Sequence, residues 1–244
     1  MKNLFLLVVM IIAAESLWAA NGCDEINWQE NKICVIAGGT ADLDKAQSSA
    51  HARSMALRTA RVLAYEKLAE KVKGVIVGAQ TKLKNDALDE SQVTTIVKAT
   101  IRNVSFEKEM VSFLPDGSPW AEVTLSVPIY GKAGVSTKVL EYEQGRANNV
   151  AEDSSKGKVL IIDASSLSYD PGLFPKVVSK GGKQISNPNE PLRVFTDLKK
   201  AQTAAGTETL LIKADSVNDK NELIVNDEDA QRLLVNSGDL IIVR

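Results

Sequence analysis

"ARSMALRTARVLAYEKLAEKVKGVIV", Ala52 to Val77, is the stretch on which the fold turns. From Lys45 to Lys73 neither Gly nor Pro interrupts the chain. Ala46, Ala50, Leu57, Ala60, Ala64, Leu68 and Val72 recur there at steps of three, four and seven. That spacing lays one apolar face along a helix. Many of the face residues are alanines, so the helix can approach a sheet closely. Asp42 or Asp44 offers an N-cap, and Gly74 reads as the C-terminal stop. The following "GVIVGAQTKL" is apolar, β-branched and flanked by Gly, and predicts a strand.

Working outward, Ile33 to Ala37 predicts a short strand, and Gly38-Gly39 a turn leading to the helix. Downstream, Asp89-Glu90-Ser91 precedes Val93, Ile96, Val97 and Ile101, a second, shorter amphipathic helix. Asn103 to Leu114 and Trp120 to Tyr130 flank "PDGSP". Pro115 presets φ there and Gly117 accepts a positive φ, which predicts a hairpin. Val123, Leu125, Val127 and Ile129 alternate on its buried face, with Thr124, Ser126 and Tyr130 on the other.

"GRANNVAEDSSKG", Gly145 to Gly157, is small, polar and aperiodic, and reads as a linker. Beyond it, "KVLIID" predicts a buried strand. "YDPGLFPKVVSKGGKQI" predicts a turn, a strand and a Gly-Gly turn, and Phe195 to Ala205 a short helix. "TLLIKADSV" and "ELIV" read as strands, Asn226 as the cap of a helix through Val235, and "DLIIVR" as a final strand. The expected fold class is therefore α+β in two small domains. The first is a long helix plus a second helix on an antiparallel sheet (23–144). The second is a small mixed unit (158–244), joined through the linker 145–157.

The front end predicts export. Lys2 is followed by an unbroken apolar run from Leu4 to Ala14, too short to span a bilayer, which needs about 20 residues. We read 1–22 as a signal peptide. Cleavage after Ala19 or after Gly22 leaves a small or aliphatic residue at −3, whereas cleavage after Ala20 sets Trp18 there. A lipid-attachment signal is only half met, because Ala20-Asn21-Gly22-Cys23 matches in its last two positions. Cys23 and Cys34 are the chain's two cysteines. In an oxidising compartment they can form a disulfide. Lipidation of Cys23 and two free thiols are the alternatives.

Composition excludes some classes. Lys plus Arg number 29 against 31 Asp plus Glu, so no basic surface for nucleic acid is implied. Aromatics are 5%, too few for stacking platforms.

Leu68-Ala69-Glu70, Val72 and Gly74, followed by Asp116-Gly117 and Gly131, resemble the twenty-kilodalton Lpp-like outer-membrane lipoprotein family. The flagellar assembly proteins FlgP and FlgT carry related modules. "LIIDASSLSYDPGLFPKVVSKGGKQI" is similar to the segment that follows the module in longer relatives, with Ser165-Ser166 where Arg-Gly is usual. The resemblance implies an envelope role, around the flagellar basal body, in which sheet edges and helix faces serve as contacts.

Candidate chemistry is sparse. His51 is the sole histidine, sits at the border of the helix's apolar face, and has no Gly-x-Ser-x-Gly elbow to support a triad. Asp163-Ala-Ser-Ser-Leu approaches the Asp-x-Ser-x-Ser metal pattern, but Leu167 replaces the last ligand, so Asp163 is read as capping the turn after its strand. Asp219, Asp227, Glu228 and Asp229 lack the spacing and central Gly of a calcium loop, and read as acidic residues complementing a helix dipole. "IAGGTA" lacks a phosphate loop's third Gly and lysine. Trp120 is either a binding anchor or the start of a strand.

These readings predict an exported, non-enzymatic cell-envelope protein with no cofactor, metal or nucleic-acid partner. It would act by self-assembly or by binding envelope proteins, in the periplasm or at the periplasmic face of the outer membrane. The competing expectation is a periplasmic small-ligand protein or enzyme with its site between the two domains.

Overall fold

The structure is a computed structural model that describes residues 23–80, 88–144, 159–185, 192–206, 208–235 and 240–244. The expected signal segment and linker lie outside these residues, as does the end of "GVIVGAQTKL". The architecture is mixed α+β. An antiparallel four-stranded sheet is built from β1 (Ile26–Asn27), β2 (Lys32–Thr40), β3 (Ser105–Phe113) and β4 (Pro119–Pro128), in the order β1-β2-β4-β3. Helix α1 (Ser49–Gln80) lies across it, and α2 (Glu90–Ile101) and α3 (Val135–Gln144) pack alongside.

The face of α1 is the one its spacing predicts. This holds from Ala60 onward: Ala60, Ala64, Leu68 and Val72 are fully buried against the sheet, whereas Leu57 is half-buried, Ala50 is exposed and Ala46 precedes the helix, and Ala52 and Ala56 carry the face at its start. Asp42 caps only a short 3-10 turn over Leu43–Lys45, and α1 starts later, at Ser49. Gly74 does not end the helix, and 74–80 is not a strand. Val75, Ile76 and Ala79 prolong the buried face. Their packing outweighs the roughly 1 kcal/mol that each of Gly74 and Gly78 costs a helix interior. Gly38-Gly39 is likewise no turn. Both lie inside β2, opposite Glu122 and Ala121 of β4. The indole of Trp120 occupies the place of a Gly38 side chain. Trp120 itself is a β4 residue, about one-third exposed.

Helix α2 starts on a capping box: Gln92 N–H donates to Asp89 Oδ1, and Gln92 Oε1 accepts from Asp89 N–H. The hairpin β3–β4 turns at Gly117, φ 82°, where Ser118 N–H and O–H both donate to Asp116. Its second arm has two buried faces rather than one, since Thr124 and Ser126 are buried as well as Val123 and Leu125. β4 is an inner strand flanked by β2 and β3, and Ser126 O–H donates to Glu107. Helix α3 went unread in the sequence.

The C-terminal unit holds two sheets. β5 (Val159–Asp163), β7 (Leu192–Phe195), β8 (Thr209–Lys213) and β11 (Leu240–Val243) form a parallel sheet in the order β7-β11-β5-β8. Alternate residues bury both of its faces, as parallel sheets require. Ile161, Ile241, Val243 and Phe195 pack with Ala201 on α4 (Leu198–Ala205), while Leu160, Ile162, Leu240 and Ile242 join the core shared with the N-terminal unit. Phe195 thus belongs to β7, and the helix starts only after its cap Asp197. β6 (Val177–Ser179), β9 (Ser216–Val217) and β10 (Leu223–Val225) make a small sheet in the order β6-β10-β9. "TLLIKADSV" therefore divides between two sheets as β8 and β9. Helix α5 (Asp227–Val235) completes the unit, its Asp229 N–H capped by Asn226 Oδ1 at 2.8 Å.

Candidate functional site

The two edges of the antiparallel sheet are treated oppositely. Along the outer edge of β2, backbone groups are closed off from Lys32 to Ile36. β1 pairs with Lys32 and Ile33. Beyond it, Asp24 N–H donates to Cys34 O at 3.0 Å, Ile36 N–H donates to Asp24 Oδ1 at 3.1 Å, and Lys67 Nζ donates to Ile36 O at 2.9 Å. Asp24 sits at φ 78° to do this, in the left-handed region that few non-Gly residues adopt. The disulfide Cys23–Cys34 (Cα–Cα 4.8 Å) holds it there. Burial works to raise the Asp24 carboxyl, but the Lys67 hydrogen bond and the Ile36 N–H outweigh it and hold the group below its ordinary range.

Among the described residues the β3 edge has no such cover. All nine residues are exposed, and Phe106, Met110, Val111 and Phe113 present apolar side chains there. Among the described residues nothing pairs with the outward backbone of this strand. One flank of α1 forms a ledge above it. The Arg53 guanidinium lies 4.9 Å from the Phe113 ring centroid, and Arg61 5.8 Å from that of Phe106. Tyr65 meets Phe106 edge-on. Arg61 donates through Nε and Nη2 to both carboxylate oxygens of Glu109, at 2.6 and 2.8 Å. Those hydrogen bonds hold the Glu109 carboxyl below its ordinary range. A long apolar edge strand without cover is a template for strand addition.

A cleft of about 580 Å³ lies between the two units. Trp28, Val75 and Leu173 contribute its apolar lining, and Glu25, Lys71 and Asp170 its charges. Its far wall is held firmly: Tyr130 O–H donates to Gly172 O at 3.2 Å, and Asn221 grips both backbone groups of Asp170. Burial raises the pKa of both Tyr130 and Tyr169.

The other singled-out residues stay apart. His51 is exposed near the start of α1, where Nδ1 accepts from Gln47 N–H at 3.1 Å and its own N–H is capped by Ser48 Oγ. Asp163 accepts Ser165 N–H and O–H in the turn after β5. Asp227, Glu228 and Asp229 occupy the first turn of α5, away from Asp219. Among the described residues no set of His, Cys, Asp and Glu is gathered as for a metal, and no helix is long and apolar enough to cross a membrane. The β3 edge was overlooked in the sequence. Its signal was the apolar content of "SFEKEMVSFL" on both faces of a strand with only one strand neighbour.

Residues 159–244 match the family model of the second domain of Treponema pallidum Tp0624. The match begins at the first residue of β5 and covers the C-terminal unit, not the β3 edge. No curated protein matches the chain.

Proposed function

We propose that this chain is an exported, non-enzymatic protein of the cell envelope that works by assembling with other protein chains. The observation that carries the reading is the contrast between the two sheet edges, one plugged by Asp24 and Lys67 and the other exposed over nine residues, with no cover among the described residues. Export is supported by the Lys2–Ala14 pattern and by a disulfide suited to an oxidising compartment. The likeness to Lpp-like and FlgP/FlgT modules directs the proposal to the flagellar basal body and the outer membrane. That step is analogy of fold and pattern.

A photo-activated cross-linker at Met110, with the protein expressed from its own leader, tests the reading. An adduct to a protein chain at Met110 and none at Glu228, in material recovered from the envelope, is the expected result. Recovery in the cytoplasm, or no adduct at Met110, would overturn it.

A second reading, a small-ligand protein, rests on the cleft between the units. There Glu25, Lys71 and Asp170 line an apolar floor, and Lys71 is close enough to Asp24 to help lower its carboxyl pKa. A melting point that rises with a defined small molecule in the wild type, and not in Asp170→Ala, would favour it.

A further inference from the structure

We infer that the β3 edge pairs with the β3 edge of a second copy of this chain, antiparallel and about a two-fold axis through Val111. The inference rests on the assembly reading and names its partner.

Backbone alternation restricts the register. Leu114 N–H donates to Ser118 O at 2.9 Å, and Pro119, opposite Phe113, has no N–H to give. Hydrogen-bonded and non-bonded pairs alternate along an antiparallel ladder. Ser112 and Met110 therefore direct their backbone groups at β4, while Glu109, Val111 and Phe113 direct theirs outward. Two such edges can bond only where outward groups meet outward groups.

Any centre from Glu109 to Phe113 does this within the regular part of β3, but centring on Ser112 pairs only Val111 with Phe113, and centring on Phe113 only Phe113 with itself, so both leave Glu109 unpaired within the strand. Centring on Glu109 sets two carboxylates directly opposite each other, which is unfavourable. Centring on Met110 runs Phe113 onto the bulge between Phe106 and Lys108, where the ladder is irregular. Centring on Val111 joins Val111 to Val111 and Glu109 to Phe113 in both directions. Every one of these pairs can exchange both backbone hydrogen bonds.

Charge selects the same alignment. A two-fold axis perpendicular to the sheet keeps both α1 helices on one side. Glu109 of the second copy then comes up beside Phe113 and the Arg53 stacked on it. Arg53 has no carboxylate partner among the described residues. Glu109 keeps its own Arg61, and a carboxylate has acceptor sites for two guanidinium groups. The pair covers Val111 and Phe113 and consumes both bare edges. Because the β2 edges are plugged, the joined sheet stops at two copies and does not grow into a fibre.

The test is the mass of the mature, disulfide-bonded protein by sedimentation equilibrium. Twice the chain mass is expected. Val111→Pro removes only an outward N–H and leaves the β3–β4 ladder intact. It should give the single-chain mass with unchanged far-UV circular dichroism. Should that variant fail to fold, Arg53→Glu is the substitute, and its dimer Kd should rise at least tenfold. On oxidation Val111→Cys should cross-link to its symmetry mate and Phe113→Cys should not. A single-chain mass at every concentration overturns the inference and leaves the assembly reading to its own cross-linking test. A dimer that survives folded Val111→Pro, or that Val111→Cys fails to cross-link, overturns the inference while showing assembly through another surface.

Discussion

A side chain on Gly39 would place its Cβ 2.5 Å from the backbone nitrogen of Ala60. Strand β2 and helix α1 are thus in backbone contact at this point, and neither residue can grow. Gly39→Ala and Ala60→Leu should each destabilise the protein by about 1–3 kcal/mol through overpacking. His51→Leu, at the exposed helix start, should cost under about 1 kcal/mol, the scale of a lost cap interaction. Thermal melts of the three variants check this, and equal melting points would remove the close-packing account.

The Cys23–Cys34 disulfide anchors Asp24 at the β2 edge. Cys23→Ser should lower stability by about 2–3 kcal/mol through release of the unfolded chain's constraint. It should also speed hydrogen exchange at Ile36 N–H, the proton that Asp24 accepts. The native protein should weigh two hydrogens less than its reduced form. Lipid mass on Cys23 would contradict the bridge, since one sulfur cannot carry both.

Two buried tyrosines at the junction of the units should behave differently. Tyr130 O–H donates to Gly172 O, so Tyr130→Phe should cost about 0.5–1.5 kcal/mol. The Tyr169 hydroxyl is buried with no hydrogen-bond partner among the described residues. Tyr169→Phe should therefore be neutral or stabilising, because it removes an unsatisfied polar group. A denaturant midpoint that falls for Tyr169→Phe as far as for Tyr130→Phe would show that its hydroxyl is in fact satisfied.

Asp24 and Glu109 both have carboxyl pKa values lowered in the folded protein. A lowered folded pKa contributes stability that is present above the unfolded value, about 4, and lost as pH falls through the folded one. The melting point should therefore fall below about pH 4, and less steeply in Glu109→Gln. Both groups are partly exposed, so salt should weaken the contribution. Parallel acid titrations of wild type and variant would contradict the Glu109 assignment.

Much of this molecule was legible in sequence because the signals are local. The face of α1 from Ala60 to Val72, the helix start at Asp89-Glu90-Ser91, the Pro115–Gly117 turn and the Asn226 cap each depend on residues within a turn or two, and each recurs in the structure. Asp163 caps the turn after β5 for the same local reason. Helix α3 was within reach too: Val135, Val139 and Tyr142 stand at i, i+4 and i+7, but the run is short and follows a Gly-rich turn.

Other features were decided by partners distant in sequence. Gly74 and Gly78 look like punctuation until Val75, Ile76 and Ala79 are seen buried, because tertiary packing overrides a propensity of about 1 kcal/mol. Gly38 and Gly39 look like a turn until Trp120 and Ala60 arrive from elsewhere to fill the space a Cβ would take. The sequence by itself determined the buried face of α1 from Ala60 to Val72, the start of α2, the Pro115–Gly117 turn and the Asn226 cap, since their energetics lie between near neighbours. Only the tertiary structure decided which strand became an edge and which edge was left bare. Strand order and edge cover depend on what the rest of the chain brings alongside, here Asp24 and Lys67 at β2 and nothing described at β3.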